Sequence, residues 1–598
     1  METGSGIDAR LRRAAESARQ SLLEQRSEAG HWTGELSSSA LSTATATAAL
    51  TRALVERPKG AARLERLVAG GRAWLARHRN PDGGHGDTVD SPSNLSTTAL
   101  AWMALAVPLE ADEDGDIALA RADCETWLRR RLGALDAPAL AKALGEVYGE
   151  DRTFAVPILT ACALSGALDG PGNPDPWRSI PALPFELAAL PQSLFRWLGL
   201  PVVSYALPAL IAIGQAIEFH RPSRNPLARI ARAATRRSTL RVLTRIQPVN
   251  GGFLEATPLT SFVLLSLLSI GAGASQVARR SLQFLVASAR PDGSWPIDTN
   301  LATWVTTLAV NGLGDALPET ARATLRDWLL AQQLGARHPY TGAAPGGWAW
   351  TDLPGGVPDA DDTAGALLAL RRLEPEAVAA AQAGLDWLAA LQNKDGGIPT
   401  FCRGWGKLPF DRSSPDLTAH ALRAWTSWDA RPDSVRRAAR YLVESQRADG
   451  AWVPLWFGNQ EEPRLENPVY GTSRVLRVAG RAREERPLAQ ALERGLDWLL
   501  AAQRTDGGFG GGPGLRATVE ETALALEALC DAHRAGLRDL RRPVAAATEW
   551  LLEATHSGTR FEARPIGLYF ARLWYSERLY PLLFAVSALS GAERVLAR

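Results

Sequence analysis

The sequence predicts an all-α protein of stacked αα-hairpins that close into α/α barrels. Three features predict it. A helix–turn unit repeats along the 598 residues, a more apolar helix follows each turn, and β-type alternation is almost absent. The clearest copies are WLAALQNKDGGIPTF (387–401), YLVESQRADGAW (441–452) and WLLAAQRTDGGF (498–509). LLEQRSEAGHW (22–32), LTRIQPVNGGF (243–253) and FLVASARPDGSW (284–295, without the Gln) are further copies. WLARHRNPDGGHG (74–86) is degenerate, and WLLAQQLGARHPYTGAAPGGWAW (328–350) carries an insertion.

Each element has a local reason. The first helix of a unit is amphipathic and stops at Asp-Gly or Asn-Gly, where Gly supplies the positive φ of a helix end. The Gln before the turn can bridge helix-end carbonyls to the next element. The aromatic beyond the turn can fold back on the helix. The second helix is apolar all round, as in LSTTALAWMAL (95–105), DDTAGALLAL (361–370), DLTAHALRAW (416–425) and ETALALEAL (521–529). Gln392, Gln446 and Gln503 recur at spacings of 54 and 57 residues, the length of two helices and their turns. Closing such hairpins into rings puts apolar helices inside and amphipathic ones outside.

Composition narrows the function. A chain with 46% hydrophobic and 22% charged residues is not globally disordered, and its length suggests more than one domain. A net charge of +2 gives no reason to expect nucleic-acid binding. Cys124, Cys162, Cys402 and Cys530 are far apart, so neither a disulfide framework nor a structural zinc site is expected; such thiols fit a reducing compartment. The polar N-terminus, METGSGIDARLRRAAESARQ, does not read as a signal peptide. The excess is in Trp, 20 against 14 Phe and 8 Tyr, although each buried indole N–H needs a partner.

Aligning the apolar helices on a shared Thr places Thr363, Thr418, Thr472 and Thr522 at one position. Asp361, Asp416, Tyr470 and Glu520 then share the position two residues earlier, at one end of the barrel. The segment VPDADDTAGALLAL brings Asp359, Asp361 and Asp362 together at a helix start. Three carboxyls so close cannot all ionise cheaply, so at least one proton is kept, while the helix N-terminus favours carboxylate. The expected result is a strong acid that still holds a proton. His420, four residues after Asp416 and on its helical face, can bond to Asp361 from one repeat away.

The Gln–Gly–Trp repeats, PDADDTA and PDLTAH together resemble the squalene–hopene cyclase family of class II terpene cyclases. The resemblance covers essentially the whole chain and is strongest from about residue 290 onward. It implies two α/α barrels, one inserted into the other: residues 1–28 with 300–598, and 29–299. It implies protonation of a terminal alkene of squalene or a similar linear polyprene, then polycyclisation to a hopene- or hopanol-like triterpene, with no cofactor and no metal. By the resemblance, Asp361 is the proton donor, Asp359 and Asp362 its flanking partners, and Asp416 and His420 the segment whose His bonds the acid. Trp304, Trp350, Phe401, Phe509 and Tyr569 resemble the family's cation-stabilising aromatics, whose π-faces attract a carbocation without trapping it. The sequence departs from hopene-forming members where they carry acidic residues, with Leu100 at one such site, and at Ala571, Leu573 and Ser576 near the C-terminus. The product skeleton is therefore open.

No DDxxD occurs, so ionising an allylic diphosphate with magnesium is not supported. Two rival enzymes share features of the pattern. A class II diterpene cyclase on a C20 diphosphate shares the acid motif and needs a basic diphosphate site. A protein prenyltransferase-like subunit needs an Asp/Cys/His zinc site that cannot be assembled here. The uncharged run WLGLPVVSYALPALIAIGQAI (197–217) is broken by Pro201 and Pro208, and after Glu218 the stretch 219–254 holds eight Arg and no acid. Residues 196–245 thus fit docking on an anionic leaflet, monotopic on the cytoplasmic side of the cell membrane. A homodimer is compatible with this reading.

Overall fold

A computed structural model of the chain describes residues 3–56, 60–106, 115–149, 151–169, 175–191, 194, 206–339, 341–401, 411–481, 486–567 and 572–597. The fold is all-α. In one ring of inner helices, Ala302–Leu313, Ala360–Leu373, Pro415–Ser427, Pro468–Leu476, Val519–Arg534 and Tyr580–Leu596 each pack on the next, and the last packs on the first. The second ring runs Ala40–Val55, Leu95–Ala106, Arg152–Leu164, Leu207–His220 and Thr257–Ser269, and closes on Ala40–Val55. Amphipathic helices such as Pro432–Glu444 and Gln276–Ala287 form the outer layers. The N-terminal helix Thr3–Glu24 belongs to the first ring's outer layer, against Arg541–Ala554 and Tyr580–Leu596.

Each ring has its own apolar core. One draws on residues between Leu11 and Leu36 and between Ile297 and Val595; the other draws chiefly on residues between Ala40 and Trp295. The chain leaves and re-enters the first core side by side. Ser38–Ser39 and Trp295–Pro296 form a two-stranded antiparallel sheet, with Ser38 opposite Pro296 and Ser39 opposite Trp295.

The repeat residues act as clamps. The indole N–H groups of Trp32, Trp295 and Trp452 donate to the carbonyls of Leu22, Leu285 and Leu442, each ten residues earlier, at 2.7–2.8 Å. Trp348 reaches Leu329 across its insertion at 2.8 Å. Gln392 Nε2 donates to Gly396 O inside its own turn and to Ser434 O on the next outer helix. Gln247, Gln333, Gln446 and Gln503 bridge in the same way. The aligned Thr hydroxyls accept the backbone N–H of the turn residue: Thr363 from Trp348, Thr418 from Ile398, Thr472 from Trp452 and Thr522 from Phe509. These groups satisfy helix-end polar atoms that burial would otherwise leave unpaired.

No described helix is long and apolar enough to cross a membrane. Residues 207–217, the second half of the long apolar run, are mostly buried in an inner helix, and the ring core accounts for their hydrophobicity. Residues 195–205 lie outside the described residues.

Candidate active site

The two barrels meet around an apolar cavity of about 280 Å³. The second ring contributes Leu41, Leu100, Pro157, Ala209 and Phe262; the first contributes Trp304 and the acid segment. Asp359, Asp361 and Asp362 all reach its wall. Backbone geometry puts them there. Asp359 N donates to Trp348 O at 3.0 Å, so the repeat's turn aromatic sets where the next inner helix begins. Asp359 caps that helix, its Oδ1 accepting from the N–H groups of Asp361 and Asp362 at 2.9 Å each.

The three carboxyls have different environments. Burial raises Asp359 to about 7 against its hydrogen bonds with Asp362. Burial and the neighbouring Asp359 raise Asp362 well above the usual range, and its Oδ1 lacks a protein partner among the described residues. This pair retains a proton at neutral pH. Burial would raise Asp361 too, but the charge and hydrogen bond of His420, then Arg474 and Arg423, outweigh it and hold Asp361 low. His420 Nδ1 lies 2.5 Å from Asp361 Oδ1, and Arg474 Nη2 lies 3.9 Å from the same oxygen. Burial, opposed by Asp361, pushes His420 down to about 4. Asp416 sits behind the wall, bonded by the Ser414 hydroxyl, and is raised to about 6 by burial and by Asp361. The cluster therefore combines a stored proton with one carboxyl of raised acidity, facing an apolar space.

Trp304, Trp350 and Phe401 line the cavity. The Trp350 carbonyl accepts from Thr303 N and Trp304 N at 3.0 and 3.2 Å, which ties the two Trp residues together. The Phe401 ring meets Trp350 at 6.0 Å and Trp456 at 5.6 Å, both edge to face. Phe509 is elsewhere: it is fully buried in its turn, in the place Trp452 takes in its own unit, and the cavity does not include it. Its chemistry as an aromatic after Gly-Gly is that of the clamp. Tyr569 and Ala571 lie outside the described residues. Leu100 and Leu573, at positions that depart from the resemblance, line the cavity.

Sequence reading missed several wall residues: Trp456, Phe457, Tyr148, Tyr575, Tyr580 and Asp298. It also missed Arg474, for which a signal existed. Arg474 stands two residues after Thr472, as His420 stands two after Thr418, so the same alignment gives both. Burial, with the charge of Glu255, raises Asp298 to about 8. Among the described residues no group of three or more His, Cys, Asp or Glu could hold a metal ion.

Comparison with known proteins follows the same lines. The chain matches the family model for the squalene-hopene cyclase N-terminal domain over residues 15–150 and that for the C-terminal domain over residues 301–592. It is 33% identical to a drimenyl diphosphate synthase of Streptomyces showdoensis over 323 residues, covering 53% of this chain and 54% of that protein. It is 28% identical to a copalyl diphosphate synthase of Streptomyces cyslabdanicus (60% and 59% covered) and 27% identical to a squalene–hopene cyclase of Bradyrhizobium diazoefficiens (46% and 45% covered). Each match thus spans about half the length of the curated relative. The fold is similar to that of the solved ent-copalyl diphosphate synthase from Streptomyces platensis, with a TM-score of 0.58 at 19% identity over 98% of this chain and 99% of that one. With both family domains matched along its length, the chain belongs to the squalene–hopene cyclase family of class II terpene cyclases.

Proposed function

We propose that the protein cyclises a linear prenyl diphosphate of C15 or C20 length, by protonation of its terminal alkene. The observation that carries the reading is the carboxyl cluster set in the wall of an apolar cavity between the barrels. Asp361 donates its O–H proton to the terminal alkene carbon. Its acidity comes from His420 and Arg474, and the Asp359–Asp362 pair holds a proton beside it. The tertiary cation so formed is attacked by the next double bond, and Trp304, Trp350 and Phe401, joined by Trp456, offer π-faces to the successive cations.

Two findings support the diphosphate. Relatives named drimenyl, copalyl and labda-7,13-dienyl diphosphate synthases match this chain at 28–33% identity. The cavity, at about 280 Å³, also falls just below the roughly 300–1,000 Å³ of small-molecule sites, which favours a shorter C15 or C20 chain over C30. A second reading, cyclisation of squalene or a similar uncharged polyprene, is favoured by one observation. Among the described residues of the cavity wall none is Lys or Arg. Incubating purified protein with farnesyl diphosphate, geranylgeranyl diphosphate and squalene, followed by mass spectrometry, decides between them. A cyclic diphosphate is expected, and cyclic products from squalene alone would overturn the first reading. With the preferred substrate, Asp361→Asn should abolish turnover with the melting curve intact.

We also propose that the protein docks on an anionic membrane surface through the helix Pro226–Ile246. Leu227 and Ile230 are 75% and 66% exposed there, among the exposed Arg229, Arg236, Arg237 and Arg241. Arg221 and Arg232 are used internally: Arg221 donates to the Arg178 and Ile180 carbonyls, and Arg232 pairs with Glu186 and Glu218.

A further inference from the structure

Asp298 lies on the cavity wall but outside the helix start that carries the acid cluster. It follows the crossover strand Trp295–Pro296 and forms an antiparallel bridge with Ala256, where the two cores meet. Leu254 and Glu255, just before that bridge, have φ of 58° and 56°. Non-glycine residues hold this left-handed conformation only where their surroundings compel it. The compulsion is visible: the buried Glu255 carboxylate accepts from Asn250 Nδ2 at 2.7 Å, Gly355 N at 2.7 Å and Thr299 Oγ1 at 3.1 Å. A strained, well-anchored segment thus fixes Asp298 at the cavity wall.

Among the described wall residues, Asp298 is the one carboxylate outside the Asp359–Asp362 group. Its buried Oδ1 has no hydrogen-bond partner among the described residues. The charged group that acts on it is Glu255. An unpaired carboxylate oxygen in an apolar wall is costly to keep. A polyene cascade that ends in an alkene needs a group that takes the last proton, and an unpaired carboxyl oxygen on the cavity wall can be that group.

We propose that Asp298 is the proton acceptor that ends the cyclisation, an inference that rests on the class II reading above. The C–H bond next to the last cationic carbon breaks. Its electron pair becomes the new C=C bond, and the proton goes to Asp298 Oδ1. With the proton first given by Asp361, the overall change is an isomerisation. Asp298 returns its proton to water as product leaves, and Asp361 takes one back. Burial raises Asp298 to about 8, so the ionised form that accepts the proton is a strong base for a carboxylate, and its share grows as pH rises through neutrality.

The test compares wild type with Asp298→Asn, which keeps the side chain's shape, Asp298→Ala and Asp298→Glu. All are assayed by product analysis on farnesyl diphosphate, geranylgeranyl diphosphate and squalene, with melting curves as the fold control. The expected result is a fall of about 10²-fold in the wild-type alkene's share of cyclic products in the Asn and Ala variants. Hydrated and isomeric products replace it, and Glu restores part of it. A folded Asn or Ala variant with the wild-type product distribution overturns the proposal, as does a wild-type product whose hydroxyl comes from water. Absence of cyclic product from wild type with all three substrates instead overturns the cyclase reading on which it stands.

Discussion

Removing the charge of Arg474 should move the pH dependence of turnover. Arg474 Nη2 lies 3.9 Å from Asp361 Oδ1 in a buried setting. At an effective dielectric of about 20, two unit charges at that distance interact by about 4 kcal/mol. One pKa unit is about 1.4 kcal/mol, so the upper limit of the effect is about 3 units. His420 remains beside the acid in the variant, and water entering the space of the lost side chain screens the rest. A rise of about 1–3 units is expected for the apparent pKa of the Asp361–His420 pair in Arg474→Leu. The direction is unambiguous, because removing a nearby positive charge raises the proton affinity of both partners. Turnover needs the protonated acid, so it falls as pH rises through this pKa, and the fall should come at higher pH in the variant. The assay is kcat from about pH 3 to about pH 8 for wild type, Arg474→Leu and Arg474→Lys, with circular dichroism at each pH. Lys keeps the charge and should stay within about half a unit of wild type. A folded Arg474→Leu whose pH profile does not move would refute the reasoning.

Other expectations follow from the same geometry. Trp452→Phe removes the N–H bond to the Leu442 carbonyl and leaves it only the longer 3.4 Å bond from Ser445 Oγ, so stability should drop by about 0.5–1.5 kcal/mol in denaturant titration. Its KM should be unchanged, and a KM effect would show that Trp452 is more than a clamp. Trp350→Ala removes a π-face worth about 0.5–2 kcal/mol to a nearby cation. It should slow kcat by about 2- to 30-fold and release early-terminated products; an unchanged product profile would remove Trp350 from the cascade. The pair Leu227→Asp and Ile230→Asp should abolish flotation with phosphatidylglycerol vesicles while detergent-dispersed substrate is still turned over. Full flotation would move the docking surface elsewhere.

Much of the fold was legible because the repeat is a local device. The Trp, Gln, Gly and Thr of a unit satisfy helix ends within one or two turns of chain, so their spacing survives in sequence. Most of the Trp excess has the same origin: Trp32, Trp295, Trp348 and Trp452 are clamps with satisfied indoles. Phe509 was misplaced for that reason too, since an aromatic after Gly-Gly serves the clamp wherever the unit recurs. The acid cluster was legible because Asp359, Asp361 and Asp362 share one helix start, and His420 because one alignment relates successive inner helices.

The rest depended on how two rings meet. Periodicity alone determined the helices, which of them are apolar, and the end of the barrel where the acids gather. It carried no information on the second wall of the cavity, since Leu41, Leu100 and Phe262 belong to another ring and lie far away in the chain. Asp298 belongs to this second kind. Its sequence neighbours read as an ordinary turn; only the bridge to Ala256 and the contact between the cores leave its carboxylate buried and unpaired. A carboxyl's acidity is set by what surrounds it in space, and for Asp298 only the tertiary structure supplied those surroundings.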